Sequence, residues 1–178
     1  MPANIVEFYA GQARDSHDRS IHTIFRMRDD QMESVHNYIQ WLFPLHEESQ
    51  CVEGSPVLTF EDVNRLRSNP TAIENMKAAI NKFRYFLGLP QMQRVEADYD
   101  QPRGNFNESK VNTWCQDGNH NLLRVTRAIR SIRLFGLVDE AEEFYADVLR
   151  VARARKINRR TLQYWERAAR DDVFASLR

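Results

Sequence analysis

Two short stretches carry the side chains best suited to chemistry. In HNYIQWLFPLHEES, residues 36–49, His36 and Gln40 stand four apart among Tyr38, Ile39, Trp41, Leu42 and Phe43, and His46-Glu47-Glu48 follows Pro44. In NHNLLRVTRAIRSIRLFGL, residues 119–137, His120 and Asn121 precede Arg124 and Arg127. A planar guanidinium matches a carboxylate or phosphate fork. Free N–H groups at a helix start add to an anion's binding there. Neutral histidine beside such a clamp could serve as acid or base.

On a helix, residues three and four apart are neighbours. Read as one helix ending at Pro44, residues 35–43 are apolar around most of the circumference, and His36, Asn37, Gln40 and the preceding Glu33 form a single polar stripe. The segment from Leu122 reads as a helix with one apolar lane of Leu122, Val125, Ile129 and Ile132. A second lane holds Leu123 and Leu134, and His120, Arg124, Arg127 and Ser131 fall between the two. Arginines flanked by apolar lanes are expected to be partly buried. A buried charge without a partner costs several kcal/mol or more, so the expected partners are protein carboxylates or an anionic ligand. The remaining candidates are weaker. His17-Asp18 and His22 lack a third metal ligand at helical spacing. Cys51 and Cys115 are too few and too unpatterned for a disulfide framework or a zinc site. No phosphate-cradling glycine loop, nucleophile elbow or HExxH occurs. No metal and no cofactor is expected.

The elements that must position these groups read as helices. Ser20 opens a segment to Met27, and Asp29 or Asp30 caps the helix that runs to Phe43. Thr59 heads a capping arrangement. Asn69-Pro70 opens a long helix that Gly88 closes, with Pro90 beyond. Asn107, Asp139 and Asn158 cap further helices, the one between them runs from 122 to 135, and residues 91–106 read as a loop. Short strands at Ile5–Tyr9 or Val57–Leu58 would be minor. The expected fold class is all-α: a compact bundle of about seven to eight helices forming one domain over 1–178, with its core at about 5–170.

The chain has 178 residues, 42% hydrophobic and 28% charged, with no net charge. No apolar run reaches the roughly 18 residues a membrane span needs, and MPANIVEFYAG has no signal-peptide pattern. A soluble, cytoplasmic protein is therefore expected. The charge is uneven: residues 1–121 hold 12 Lys+Arg against 17 Asp+Glu, and residues 122–178 hold 13 against 8. The run Arg150–Arg160 could contact phosphates, although basic residues also suit a helix C-terminus.

HNYIQWLFP and NHNLLRVTR, with SPVLTFEDV, FRYFLGL, Trp114 and TLQYWERAA in the same order, resemble the signatures of the opioid growth factor receptor conserved-region family over about residues 5–170. The resemblance implies receptor-type activity and membrane association. The family takes its name from a vertebrate member that binds Met-enkephalin. The long repetitive C-terminal tail of vertebrate members is absent from this sequence, which looks more like the short microbial members. The matching positions His36, Tyr38, Gln40, Trp41, His120, Asn121, Arg124 and Arg127 form the candidate ligand site, a pocket for a small anionic ligand or short peptide between the two signature helices. The alternatives are an enzyme using His36 or His120 beside the arginine clamp, and a nucleic-acid-associated protein using Arg150–Arg160.

Overall fold

The computed structural model describes residues 4–49, 52–92 and 105–175. Among these, ten helices follow one another: α1 (Ile5–Tyr9), α2 (Ile21–Phe25), α3 (Asp29–Ser34), α4 (Ile39–Leu42), α5 (Phe60–Ser68), α6 (Pro70–Leu87), α7 (Glu108–Trp114), α8 (Asn121–Leu134), α9 (Val138–Ala154) and α10 (Arg159–Arg170). The fold is all-α. α8, α9 and α10 pack against one another, while α6 contacts α1, α2, α5, α7 and α8.

Local chemistry sets most of the boundaries. Ser20, Thr59, Asn69, Asn107 and Asn158 each accept a backbone N–H of the helix they precede, satisfying donors that have no partner within the helix. Pro70 sits at the first position of α6, where its missing N–H costs nothing. Gly88 ends α6 at φ 72°. There a Cβ would lie 2.7 Å from the Asn107 carbonyl oxygen and 2.8 Å from Lys110 Cβ, while Asn107 N donates to the Gly88 carbonyl at 2.8 Å. Gly88→Ala is expected to cost at least about 1–2 kcal/mol from the left-handed backbone alone, read as a lower urea midpoint.

The helices enclose one cluster of buried side chains, in which Phe8, Phe43, Phe83, Phe135, Phe144, Trp114 and Trp165 are fully covered. Both of these indoles are satisfied: Trp114 Nε1 donates to the Leu87 carbonyl at 2.8 Å and Trp165 Nε1 to that of Leu122 at 3.0 Å. A buried ionic cluster joins α6 to α9. The Arg84 guanidinium donates to Asp147 and to the Pro90 carbonyl, and lies 3.5 Å from Glu143.

Several expectations are corrected. The helix read from Asp29 to Phe43 is two helices, because Val35 is extended (φ −91°, ψ 126°) and the chain stays non-helical until Ile39. This break accounts for part of the larger helix count. α3 begins at Asp29 after Arg28, whose N–H donates to Gln31 Oε1 at 2.9 Å. Asp139 lies in the first turn of α9 rather than capping it. Ile5–Tyr9 is helical, and Val57 forms only an isolated bridge with Leu45. Leu123 is 70% exposed, so the second apolar lane of α8 does not hold at that position. Cys51 and most of the 91–106 loop lie outside the described residues.

Candidate functional site

Where α3 stops at Val35, its last carbonyls lose their helical partners. α8 supplies replacements. Arg124 Nη1 donates to the Met32 carbonyl at 2.7 Å and Nη2 to that of Val35 at 3.1 Å. The Met32 oxygen also accepts from Tyr38 Oη at 3.1 Å. Further along the same face of α8, Arg127 Nη1 donates to the Phe43 carbonyl at 2.9 Å and Ser131 Oγ to that of Pro44 at 2.8 Å. Tyr9 Oη takes the Leu42 carbonyl from the other side. The spacing 124, 127, 131 keeps these donors in one row. The arginine lane thus clasps the main chain of residues 32–44, and Arg124, only 5% exposed, is neutralised by carbonyl dipoles rather than by a carboxylate in direct contact.

This clasp sets the geometry at the upper end of the lane. Arg124 Nη2 lies 3.3 Å from His36 Nδ1, and Nη1 donates to Asn121 Oδ1 at 3.1 Å. The His36 and His120 rings meet edge to face with centroids 5.2 Å apart. Asn121, fully buried, donates from Nδ2 to Glu33 Oε2 at 2.9 Å, and the other oxygen of Glu33 stands 3.3 Å from His120 Nε2. The Tyr38 ring lies 5.5 Å from the Arg124 guanidinium carbon. Burial pushes the Tyr38 phenol up to about 12, against the opposing pull of Arg124. Burial also holds His120 below the usual imidazole value, helped by Arg124 and by His36 and opposed by Glu33.

His36, Tyr38, His120, Asn121 and Arg124 therefore come together at one corner, with His36, His120 and Glu33 open to solvent and Arg124 and Tyr38 beneath. The other candidates lie elsewhere. His36 and Gln40 do not share a helical stripe, since only Gln40 is helical; Gln40 is buried, and Trp41 packs edge-on to Phe8 at 5.2 Å. Arg127 serves the Phe43 end. Glu33 was legible as a neighbour on the polar stripe, but its link to Asn121 spans 88 residues and left no local mark.

His46 is covered although it follows Pro44 in a loop: its side chain is 2% exposed, 3.4 Å from Glu47, and burial lowers its basicity. Glu47 takes both Nη groups of Arg130, which hold its carboxyl below the usual range. Beside this pair, a cavity of about 270 Å³ opens between α8 and α10. Another, of about 460 Å³, is lined by Cys115, Asp117, Arg155 and Lys156. Burial pushes the Cys115 thiol up to about 11, away from thiolate chemistry at neutral pH. Among the described residues, no group of three metal-ligating side chains occurs, and no helix is long and apolar enough to cross a membrane.

Residues 3–173 match the family model described as the opioid growth factor receptor conserved region. The chain is 28% identical over 149 residues to the human opioid growth factor receptor, covering 84% of this chain and 21% of that protein. To the mouse receptor it is 32% identical over 127 residues, covering 68% and 18%. To mouse opioid growth factor receptor-like protein 1 it is 25% identical over 113 residues, covering 60% and 22%. The chain thus spans about a fifth of the length of these relatives. No solved structure matches it.

Proposed function

Because the chain belongs to the opioid growth factor receptor conserved-region family, we propose that it is a binding module and that its ligand surface is the His36–His120 corner. The ligand is a small anion or the carboxylate of a short peptide. The observation that carries this reading is the meeting of His36 and His120 directly above the Arg124 guanidinium, with Asn121 holding Glu33 alongside. The Nη donors of Arg124 are engaged by the main chain, Asn121 and His36, so its contribution to the ligand is a fixed positive charge at the base of the site. The imidazoles supply the hydrogen bonds. A peptide also brings an ammonium group, for which Glu33 is the complementary charge.

Binding at this corner is linked to protons. An anion favours the imidazolium form, so it raises the His120 pKa from its lowered value and takes up a proton. Affinity therefore rises as pH falls through and below the ordinary histidine value of about 6.5. In the free protein the sign is opposite. A histidine whose pKa is lowered by folding gives stability that is complete above about 6.5 and lost as pH falls below it. His120 and His46 act together here, and the thermal midpoint of the free protein is expected to fall between neutral pH and pH about 5.

The testing experiment is a melting-curve panel with phosphate, dicarboxylates, Met-enkephalin and its C-terminal amide. A ligand at 100 times its dissociation constant adds about 2.7 kcal/mol. The expected result is a rise with a carboxylate-bearing ligand that is larger at pH 6 than at pH 8 and absent in His120→Ala. A rise that is the same in His120→Ala would place the ligand elsewhere.

A further inference from the structure

We propose that the groove between α8 and α10 is a binding surface for single-stranded nucleic acid. Arg160 and Arg167 would take phosphates and Tyr164 would take a stacked base. This surface lies outside the His36–His120 corner and does not depend on it.

The distribution of ion pairs is the first observation. Arg130, Arg155 and Arg170 are matched by Glu47, Glu108 and Glu142. Among the described residues, Arg153, Lys156, Arg159, Arg160 and Arg167 make no ion pair, and all are exposed. Five exposed cations without an ion pair thus lie between the end of α9 and the end of α10, with Glu166 among them.

The second observation is how α10 presents part of that charge. Residues 160, 164 and 167 fall on one stripe of the helix, alongside the buried face of Trp165, Ala168 and Ala169. Tyr164 is 43% exposed, and the guanidinium carbons of Arg160 and Arg167 lie 5.8 and 5.9 Å from its ring centroid. Arg160 Nη2 donates to its hydroxyl at 3.4 Å. An exposed aromatic ring flanked by unpaired arginines is the combination that holds a strand: cations follow the backbone while a base stacks on the ring.

The third observation is the adjoining cavity of about 270 Å³. Thr126 and Arg130 of α8 line it together with His46, Tyr164 and Arg167, so a base stacked on Tyr164 has space beside it with hydrogen-bonding groups in reach. Asp171 and Asp172 line the same cavity and repel a phosphate backbone, which limits the footprint to a few nucleotides. An acidic peptide would use the arginines equally well but has no need of the ring or the cavity, and this favours the nucleic acid.

The test is fluorescence anisotropy with a short labelled oligothymidylate, at low salt and then along a salt series. The wild-type protein should bind saturably, and each phosphate contact should contribute about 0.7 to the slope of log affinity against log salt. Arg160→Glu with Arg167→Glu should weaken binding by tenfold or more and flatten that slope. A glutamate in the first turn of α10 favours the helix and one in the last turn opposes it by a similar amount, so an unchanged circular dichroism spectrum is expected with the pair. Tyr164→Ala should weaken binding about tenfold, while His36→Ala with His120→Ala should leave it unchanged. No saturable binding at low salt, or binding indifferent to the arginine pair, overturns the proposal. Equal competition by polyglutamate with no effect of Tyr164→Ala overturns it in favour of an acidic protein partner.

Discussion

Asp147→Ala is expected to cost about 3–5 kcal/mol, because it leaves the Arg84 guanidinium in a fully buried site without its closest counter-charge. Glu143, at 3.5 Å, remains nearby, and the Pro90 carbonyl still accepts from Nε. Neither replaces the direct contact. A loss of that size is a large part of the 5–15 kcal/mol that holds a typical domain, so the urea midpoint should fall steeply. The pair Arg84→Met with Asp147→Leu should recover much of the loss, since apolar residues of similar volume often replace a buried ion pair at little or no cost. If Asp147→Ala lowers the midpoint no more than an exposed substitution such as Glu61→Ala does, the buried cluster is not a structural tie between α6 and α9.

Arg124→Ala is expected to cost about 3 kcal/mol, as it uncovers the Met32 and Val35 carbonyls, each worth roughly 1–3 kcal/mol when left without a donor. The Met32 oxygen keeps Tyr38 Oη, so the larger share falls on Val35. Arg124→Lys should rescue only part of this, because an ammonium on a flexible stem does not reproduce a fork that reaches two carbonyls, Asn121 and His36 at once. Amide hydrogen exchange should speed up most in residues 33–37 of the variant. Exchange that speeds up uniformly across the helices would contradict a local clasp.

How these two clusters are encoded explains what could be read from the sequence. Caps at Ser20, Thr59, Asn69, Asn107 and Asn158 and the stop at Gly88 act within a few residues of themselves, so spacing alone locates them. The break at Val35 does not. Val35 through Phe43 is apolar enough to pass as one buried helix, and the unwound turn persists because donors from α8, some ninety residues away, satisfy its carbonyls. Tertiary partners override local propensity there.

The same distance effect separates the two readings of the arginines. Their burial follows from the apolar residues beside them, and Arg124 is indeed buried. Their partners do not follow, since periodicity points toward carboxylates or a ligand, whereas the lane meets main-chain oxygens. Asp147 is similar: on α9 it reads as one more charge, and only the approach of Arg84, 63 residues earlier, makes it part of the core. The sequence places His36 near His120 by way of a helical stripe through Gln40, which the fold does not contain; the two rings meet instead through the unwound turn after Val35.

Arg124 holds His36 beside His120, and the two rings share one corner with its guanidinium. Histidine titration by proton NMR, on the wild-type protein and on Arg124→Gln, reads this arrangement out. His120 is expected to titrate below the ordinary value in the wild type and to move upward in the variant, since the guanidinium is one of the groups that lower it. Addition of a carboxylate ligand should then raise it further. A His120 midpoint that is ordinary in the wild type and indifferent to both Arg124 and the ligand would mean that the guanidinium does not build this corner.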